Sequence, residues 1–165
     1  MRILGLALLV AFFFGSAQAA QSGVTIPNRL LYVEKGEWVL YLSQENHSRK
    51  ETVVDIEEKN GDRMITVLHE LLIDEKVVQQ REEVFSLNGV LREQEELWSE
   101  DRPELSLSQG LEQFNGEDIE VVVVQYAGPD GVVVRSFLSD RVPVTGILKV
   151  EVDGDLYMEV SDFGY

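Results

Sequence analysis

Residues 48–73 read SRKETVVDIEEKNGDRMITVLHELLI and contain two alternating apolar–polar runs joined by Asn60-Gly61. Alternation with a period of two is typical of a β-strand with one buried face. Asn-Gly between two such runs is a strong hairpin signal, because both residues accept a positive φ. This stretch therefore predicts an antiparallel hairpin with arms at 48–58 and 63–73.

The same pattern continues on both sides of this hairpin. Short β-branched and aromatic runs, which are typical of strands, lie at 37–42, 77–87, 119–124, 132–138, 147–152 and 156–160. Asp153-Gly154 predicts a second tight hairpin. Strands with one polar face must curl over a core, as an open or closed barrel or a sandwich. We expect an all-β fold: a curved antiparallel sheet of about eight to nine strands, forming an open or half barrel.

The middle of the chain has a less regular pattern. Residues 90–98, VLREQEELW, fit either one more strand or a short helix, because the three Glu favour a helix by propensity. Leu91 and Trp98 lie seven residues apart, which would place them on one helical face. Residues 104–116 are polar with scattered Leu, and we expect a long connection there.

Residues 1–19, MRILGLALLVAFFFGSAQA, are typical of a secretory signal peptide. A basic residue precedes about a dozen apolar ones, and the segment ends in Ala-Gln-Ala, a small-x-small cleavage site. The apolar run is shorter than the ~20 residues that a membrane-spanning helix needs. We expect a signal peptide at 1–19, an N-terminal tail at 20–36 and a single β domain at 37–165. The protein would then be periplasmic or secreted, without stable membrane insertion.

The composition of the chain argues against several classes of function. The chain has 14 Lys and Arg against 30 Asp and Glu, a formal net charge of −16, two His and no Cys. Such an excess of acid argues against nucleic-acid partners, which require clustered basic residues. Without Cys there is neither a disulfide nor thiol chemistry, and a zinc site is disfavoured. The glycines fall singly in turns and form no phosphate-binding loop, so we expect no cofactor and no metal.

No local motif indicates catalysis. His69 lies on the apolar phase of its strand, and without a Gly-x-Ser-x-Gly elbow it is interpreted as a residue at the edge of the core. Thirty acids on a small surface form close pairs by chance, so a solvated acidic face is favoured over the carboxylate pair of a glycoside hydrolase. Asp153-Gly154-Asp155 lacks the later ligands of a calcium loop. We expect a protein that is not an enzyme, with a carboxylate-based hydrolase as the lesser alternative.

Aromatic residues give the clearest hint of a binding site. In a curled sheet the concave face often stays partly unfilled and accepts an apolar ligand. Trp38, Tyr41 and Phe137 are the residues that we expect to line it. The leading hypothesis is a non-catalytic periplasmic binding protein for an apolar or amphipathic molecule or an envelope component. The alternative is an acidic protein-interaction module with no ligand cavity, and the sequence does not indicate an oligomeric state.

The last thirty residues carry a resemblance to a group of known proteins. The passages VPVTGILKVE at 142–151 and DFG at 162–164, with GEWVLY at 36–41, resemble segments of several uncharacterised bacterial secreted all-β proteins. Those proteins are similar to the lipoprotein-carrier half-barrels, in which a curved antiparallel sheet wraps an apolar cavity. The resemblance implies this fold and carries no catalytic residue.

The mature protein is expected to begin at Ala20, because cleavage follows the Ala-Gln-Ala site. N-terminal sequencing of the exported protein measures this directly. An intact Met1 in a membrane fraction would contradict the signal-peptide assignment.

Overall fold

The computed structural model describes residues 24, 26–43, 47–92, 104–128 and 130–165. Nine antiparallel strands form one curved, unclosed sheet, which confirms the predicted all-β class. The strands are β1 (Trp38–Ser43), β2 (His47–Lys59), β3 (Asp62–Ile73), β4 (Lys76–Ser86), β5 (Leu105–Phe114), β6 (Glu117–Ala127), β7 (Val133–Leu138), β8 (Ile147–Val152) and β9 (Asp155–Gly164). A 3-10 turn, Arg29–Leu31, precedes β1, and residues 87–92 form a short helix, α1, after β4.

Two meanders make up the sheet. The strand order is β4-β3-β2-β1-β9-β8-β7-β6-β5, so the meander β1–β4 and the meander β5–β9 are joined by pairing of β1 with β9. Every pair of neighbours is antiparallel. The two edge strands, β4 and β5, are separated by an even number of such reversals and therefore run in the same direction.

Three tight turns consist of Asn or Asp followed by Gly. Both residues of each turn have a positive φ, between 51° and 88°. These turns are Asn60-Gly61, Asn115-Gly116 and Asp153-Gly154. The first and the third are the predicted hairpins. The second closes a hairpin that the sequence analysis missed.

Strand β5 corrects the prediction of a long connection at 104–116. It pairs with β6 along its whole length, from Leu105 opposite Tyr126 to Phe114 opposite Glu117. Its polar composition fits an edge strand, because much of the surface of such a strand faces solvent. Pairing with β6 determines the conformation of β5, and apolar alternation is not required.

The segment before β1 corrects the prediction of a tail at 20–36. Ile26 and Val33 are completely buried, so residues 26–36 contribute to the core. The guanidinium of Arg63 donates hydrogen bonds of 2.7 Å to two backbone carbonyls of this segment. This segment is polar on average, but a few widely spaced apolar residues anchor it against the sheet. Average polarity does not reveal such anchoring.

Two further predictions lie wholly or partly outside the described residues. The signal peptide at 1–19 is one of them. For residues 90–98, α1 agrees with the helical alternative over 90–92, and residues 93–98 are outside.

Alternation along β1–β3 sends one set of side chains into the core, which we call the core face. Its most buried apolar members are at most 1% exposed: Val39, Tyr41, Val53, Ile65 and Val67. The phenol of Tyr41 forms a 2.7 Å hydrogen bond with the hydroxyl of Thr145, in the connection between β7 and β8. This connection therefore covers the core face from the other half of the sheet.

The meander β5–β9 curls back on itself. The rings of Phe114 in β5 and Phe163 in β9 stack with centroids 5.5 Å apart. In a flat sheet these strands would lie four spacings apart, about 19 Å. The curl lets β6 bury residues on both faces, such as Val121 and Val122.

Replacing Gly61 or Gly154 by Val is expected to lower the free energy of unfolding by about 1–3 kcal/mol, because a β-branched residue is strained at the positive φ of these turns. Urea unfolding measures the change. The matched control is Gly110→Val in β5, where an added Cβ would meet its nearest atom, in Val121, at an ordinary 3.8 Å. Equal unfolding midpoints for the three variants would contradict the turn geometry.

Candidate functional site

The side of β1–β4 opposite the core face carries apolar side chains that are not buried, and we call it the outer face. Its apolar residues are Trp38, Leu40 and Leu42 in β1, Met64, Leu68 and Leu72 in β3, and Val77 and Val84 in β4. A sheet that is packed on one side usually carries polar residues on the other. An exposed apolar sheet face is therefore the feature of this fold that most needs a functional explanation.

Cross-strand register makes the outer face continuous. Leu42 lies opposite Ser48, Ser48 opposite Leu72, and Leu72 opposite Val77. Directly opposite residues have Cβ atoms about 4.5–5.5 Å apart, so this row forms a strip across four strands. Leu42 and Val77 are 45% and 47% exposed, which leaves the strip open to solvent.

One cation lies within the outer face. The ammonium of Lys50 is 4.9 Å from the centroid of the Trp38 ring. Lys50 also lies opposite Leu40 on one side and Glu70 on the other. The face thus combines apolar side chains with Lys50 and with two carboxylates, Glu70 and Glu82.

The structure does not bring the three predicted ligand-lining residues together. Trp38 lies on the outer face. Tyr41 is three residues further along β1 and therefore points to the core face, where it is 1% exposed. Phe137 in β7 is 6% exposed, and the ammonium of Lys149 lies 4.1 Å from its ring centroid. Only Trp38 is positioned to meet a ligand on the outer face.

The remaining apolar residues of this face were missed, although β3 contains a signal for them. Its sequence has Ile65 and Val67 on one phase and Leu68 and Leu72 on the other. Apolar residues on both phases indicate a strand with two sheltered or binding faces. The hairpin pattern alone does not say which phase faces the core.

A charged cluster occupies part of the core face. Arg49 Nη2 is 2.6 Å from Glu51 Oε1 and 2.9 Å from His69 Nδ1. The other ring nitrogen of His69 is 3.5 Å from the carboxylate of Glu83, which also contacts Arg81 at 3.0 Å. Opposite charges here neutralise one another, and His69 is buried as the sequence analysis expected of a core residue.

Glu51 is the most buried charge of this cluster, with 2% of its surface exposed. Burial raises the pKa of its carboxyl, but the charge of Arg49 and the ring of His69 lower it more, so the pKa lies below the ordinary 4.5. Burial and the nearby Glu51 charge raise the pKa of Tyr41 well above 10. At neutral pH the cluster therefore holds an ionised Glu51 beside a neutral phenol, which suits a structural role.

A second charged group lies beside a cleft of about 210 Å³ in the curled half. Lys149 Nζ contacts Glu112 at 2.8 Å and Glu151 at 3.2 Å. Burial lowers the pKa of Lys149, but hydrogen bonds to these two carboxylates raise it more. The amine is therefore protonated and engaged, and it is not available as a nucleophile.

No group of three or more metal-ligating side chains converges within the described ranges. Among the same residues, no helix has the length and apolar character required to cross a membrane. Comparison with known proteins gives no match to a family model, to a curated protein or to a solved structure. The geometry of the outer face and of the two charged clusters is therefore what bears on function.

Glu51→Gln is expected to lower the free energy of unfolding at pH 7 by about 3 kcal/mol, because it leaves the largely buried Arg49 without its anion. A carboxyl whose pKa is lowered by folding stabilises the native state above its unfolded pKa and loses that contribution as pH falls. The difference in the free energy of unfolding between wild type and variant should therefore become smaller below about pH 4.5.

Urea unfolding between pH 7 and pH 3 measures this dependence. Glu58→Gln, on the exposed end of the same strand, is the control and should leave stability nearly unchanged. An unaltered midpoint for Glu51→Gln at pH 7 would show that the buried ion pair does not stabilise the fold.

Proposed function

We propose that this protein is a non-catalytic binding protein that holds an amphipathic, lipid-like molecule or an apolar envelope component against the outer face of β1–β4. The observation that carries the proposal is the set of solvent-accessible apolar side chains on the outer face, of which Leu42, Val77 and Val84 are 45%, 47% and 57% exposed. Soluble proteins keep such surface small unless it meets a partner.

The outer face offers enough apolar surface for useful affinity. Covering roughly 300 Å² at about 25 cal/mol per Å² contributes on the order of 7 kcal/mol, before the cost of immobilising the ligand. This supports binding in the micromolar to millimolar range. Affinity of this origin suits reversible carriage of a ligand.

Charge supports apolar contact as the source of affinity. With a formal net charge of −16, the protein repels anionic molecules at long range. Lys50, above the Trp38 ring, supplies one local positive charge for the polar end of an amphipathic ligand. The rest of the contact would come from Leu and Val side chains, whose interactions salt barely weakens.

The charged clusters support a role without catalysis. In each of them the cation and the carboxylates contact one another, and both clusters lie away from the outer face. Glu112 and Glu151 line the cleft of the curled half, where a carboxylate hydrolase would hold its two acids, but both contact the ammonium of Lys149. We therefore place the function on the outer face.

The proposed location is the periplasm or the exterior, based on the predicted signal peptide at 1–19. The sequence resemblance to proteins similar to lipoprotein-carrier half-barrels points in the same direction. In this protein, however, the proposed ligand would lie on an open face of the sheet and not in an enclosed cavity.

The openness of the outer face also favours the alternative, an acidic protein-interaction module. A flat apolar face with exposed Leu42 and Val84 suits the surface of a partner protein as well as a small molecule. Titration with a small ligand distinguishes the two, because a protein-specific face would not retain a fatty acid.

Leu42→Lys is expected to weaken binding of a fatty acid at least tenfold, because it places a charge at the β1 end of the strip, among exposed apolar side chains. Trp fluorescence at about 0.02 M and 0.5 M salt follows the titration, and wild-type affinity should be nearly equal at both. Leu111→Lys, at another exposed strand leucine outside the outer face, is the matched control.

Three results would count against this function. Affinity that falls steeply with salt would assign binding to charge. Equal loss in the two variants would show that the outer face is not the site. Absence of fatty-acid binding by wild type at either salt concentration would favour the interaction-module alternative.

A further inference from the structure

We propose that edge strand β4 pairs antiparallel with β4 of a second copy of this chain, so that two sheets join across a two-fold axis. This inference concerns assembly and does not depend on the ligand of the outer face. It rests on the exposure of β4, on its position in the sheet and on the order of its charges.

Strand β4 has a neighbour on one side only. It is the terminal strand of the described sheet, paired with β3 along Lys76–Ser86, and no other described strand lies along its outer edge. Every residue from Lys76 to Glu82 is exposed, including Val78 at 54%. Such a strand presents backbone N–H and C=O groups to an incoming strand.

The charges of β4 are arranged with the basic side chain first and the acidic ones last. The strand reads KVVQQREEVFS, with Lys76 at its start and Glu82-Glu83 towards its end. Two copies aligned in parallel would set like charges beside each other, which destabilises a strand pair. Two antiparallel copies bring Lys76 of each near Glu83 of the other.

The β-bulge in β4 fixes a register for this pairing. Leu71 and Leu72 of β3 lie opposite Gln79 and Val77, so Val78 is the extra residue. We leave Val78 unpaired in both copies and place the two-fold axis at Gln80. The two side chains of each cross-strand pair then lie on the same face of the sheet.

In that register the residues from Lys76 to Glu83, except Val78, lie opposite residues of β4 in the second copy. Lys76 lies opposite Glu83 of the second copy, Val77 opposite its Glu82, Gln79 opposite its Arg81, and Gln80 opposite its twin. One opposite-charge pair therefore occurs at each end, and a pair of neutral amides lies on the axis. This pattern is self-complementary, as an isologous interface requires.

The other edge strand offers no such match. Strand β5 reads LSLSQGLEQF, with Glu112 as its only charge, so two antiparallel copies of it cannot form a pair of opposite charges. Because each chain is strongly negative, association needs local pairs of opposite charge to offset the long-range repulsion. β4 supplies these pairs and β5 does not.

The dimer would also extend the outer face. Val77 and Val84 lie on β4 and on this face, next to the proposed junction. Two copies would therefore bring their outer faces side by side across eight strands, with Gln80 and Glu82 of each copy at the junction.

Cross-linking tests the contact directly, because the chain has no Cys and a single introduced thiol reports one position. Gln80→Cys places the thiol opposite its twin, at a Cβ separation near that of a disulfide. Under mild oxidation it should give a covalent dimer at least ten times faster than Gln109→Cys, in the middle of β5. Equal rates would overturn the proposal.

Sedimentation of the purified protein gives the second test. Wild type should show a reversible monomer–dimer equilibrium, and Gln80→Lys should weaken it about tenfold by setting two ammonium groups face to face. Within one chain the new Lys lies opposite Glu70, so the fold should be preserved. Gln109→Lys is the control and should not change the equilibrium.

A wild type that stays monomeric at several hundred micromolar would overturn the proposal. Loss of the dimer in both lysine variants would do the same, because the effect would then not be specific to β4. These readouts do not involve a fatty acid, so failure of the dimer and failure of the proposed binding function can be told apart.

Discussion

Pairing of β1 with β9 is the contact on which the rest of the structure depends. The other strand pairs lie within one meander or the other, whereas this pair joins the two halves into one sheet. The strands are tightly packed at one end of this pair, where Trp38 lies opposite Gly164. A Cβ added at Gly164 would come within 2.6 Å of the indole nitrogen of Trp38. Beside it, fully buried Val39 faces Phe163. Glycine at 164 therefore permits the outer-face Trp to lie flat across the junction.

The direction of the edge strands explains why the sheet stays open. With nine strands and antiparallel pairing throughout, β4 and β5 run the same way, so direct contact between them would require a parallel pair. An odd number of strands cannot close as a fully antiparallel ring. Closure would need one parallel pair, and the described sheet instead has two unpaired edges, whose side chains decide how each edge behaves.

Local signals made most of this fold predictable. A tight turn such as Asn60-Gly61 depends on only two residues. Alternation indicates a half-buried strand from the sequence of that strand alone, whichever strands lie beside it. Strand β5 was missed because its conformation comes from pairing with β6, although Asn115-Gly116 carried the same turn signal. The binding residues were harder to predict. Alternation separates Trp38 from Tyr41 but does not show which of them faces the core, since that depends on contacts from distant residues such as Thr145.

The β1–β9 junction also imposes an order of events on folding. Residues 38–43 must find partners more than a hundred positions away, at 158–164, before the two meanders can share a core. Contacts of such long sequence separation are formed slowly, because a long loop must close first. A chain still emerging from the ribosome can form the hairpins of β2–β4 but cannot complete the sheet until β9 has been synthesised. The polypeptide consequently remains incompletely folded until its last strand has left the ribosome.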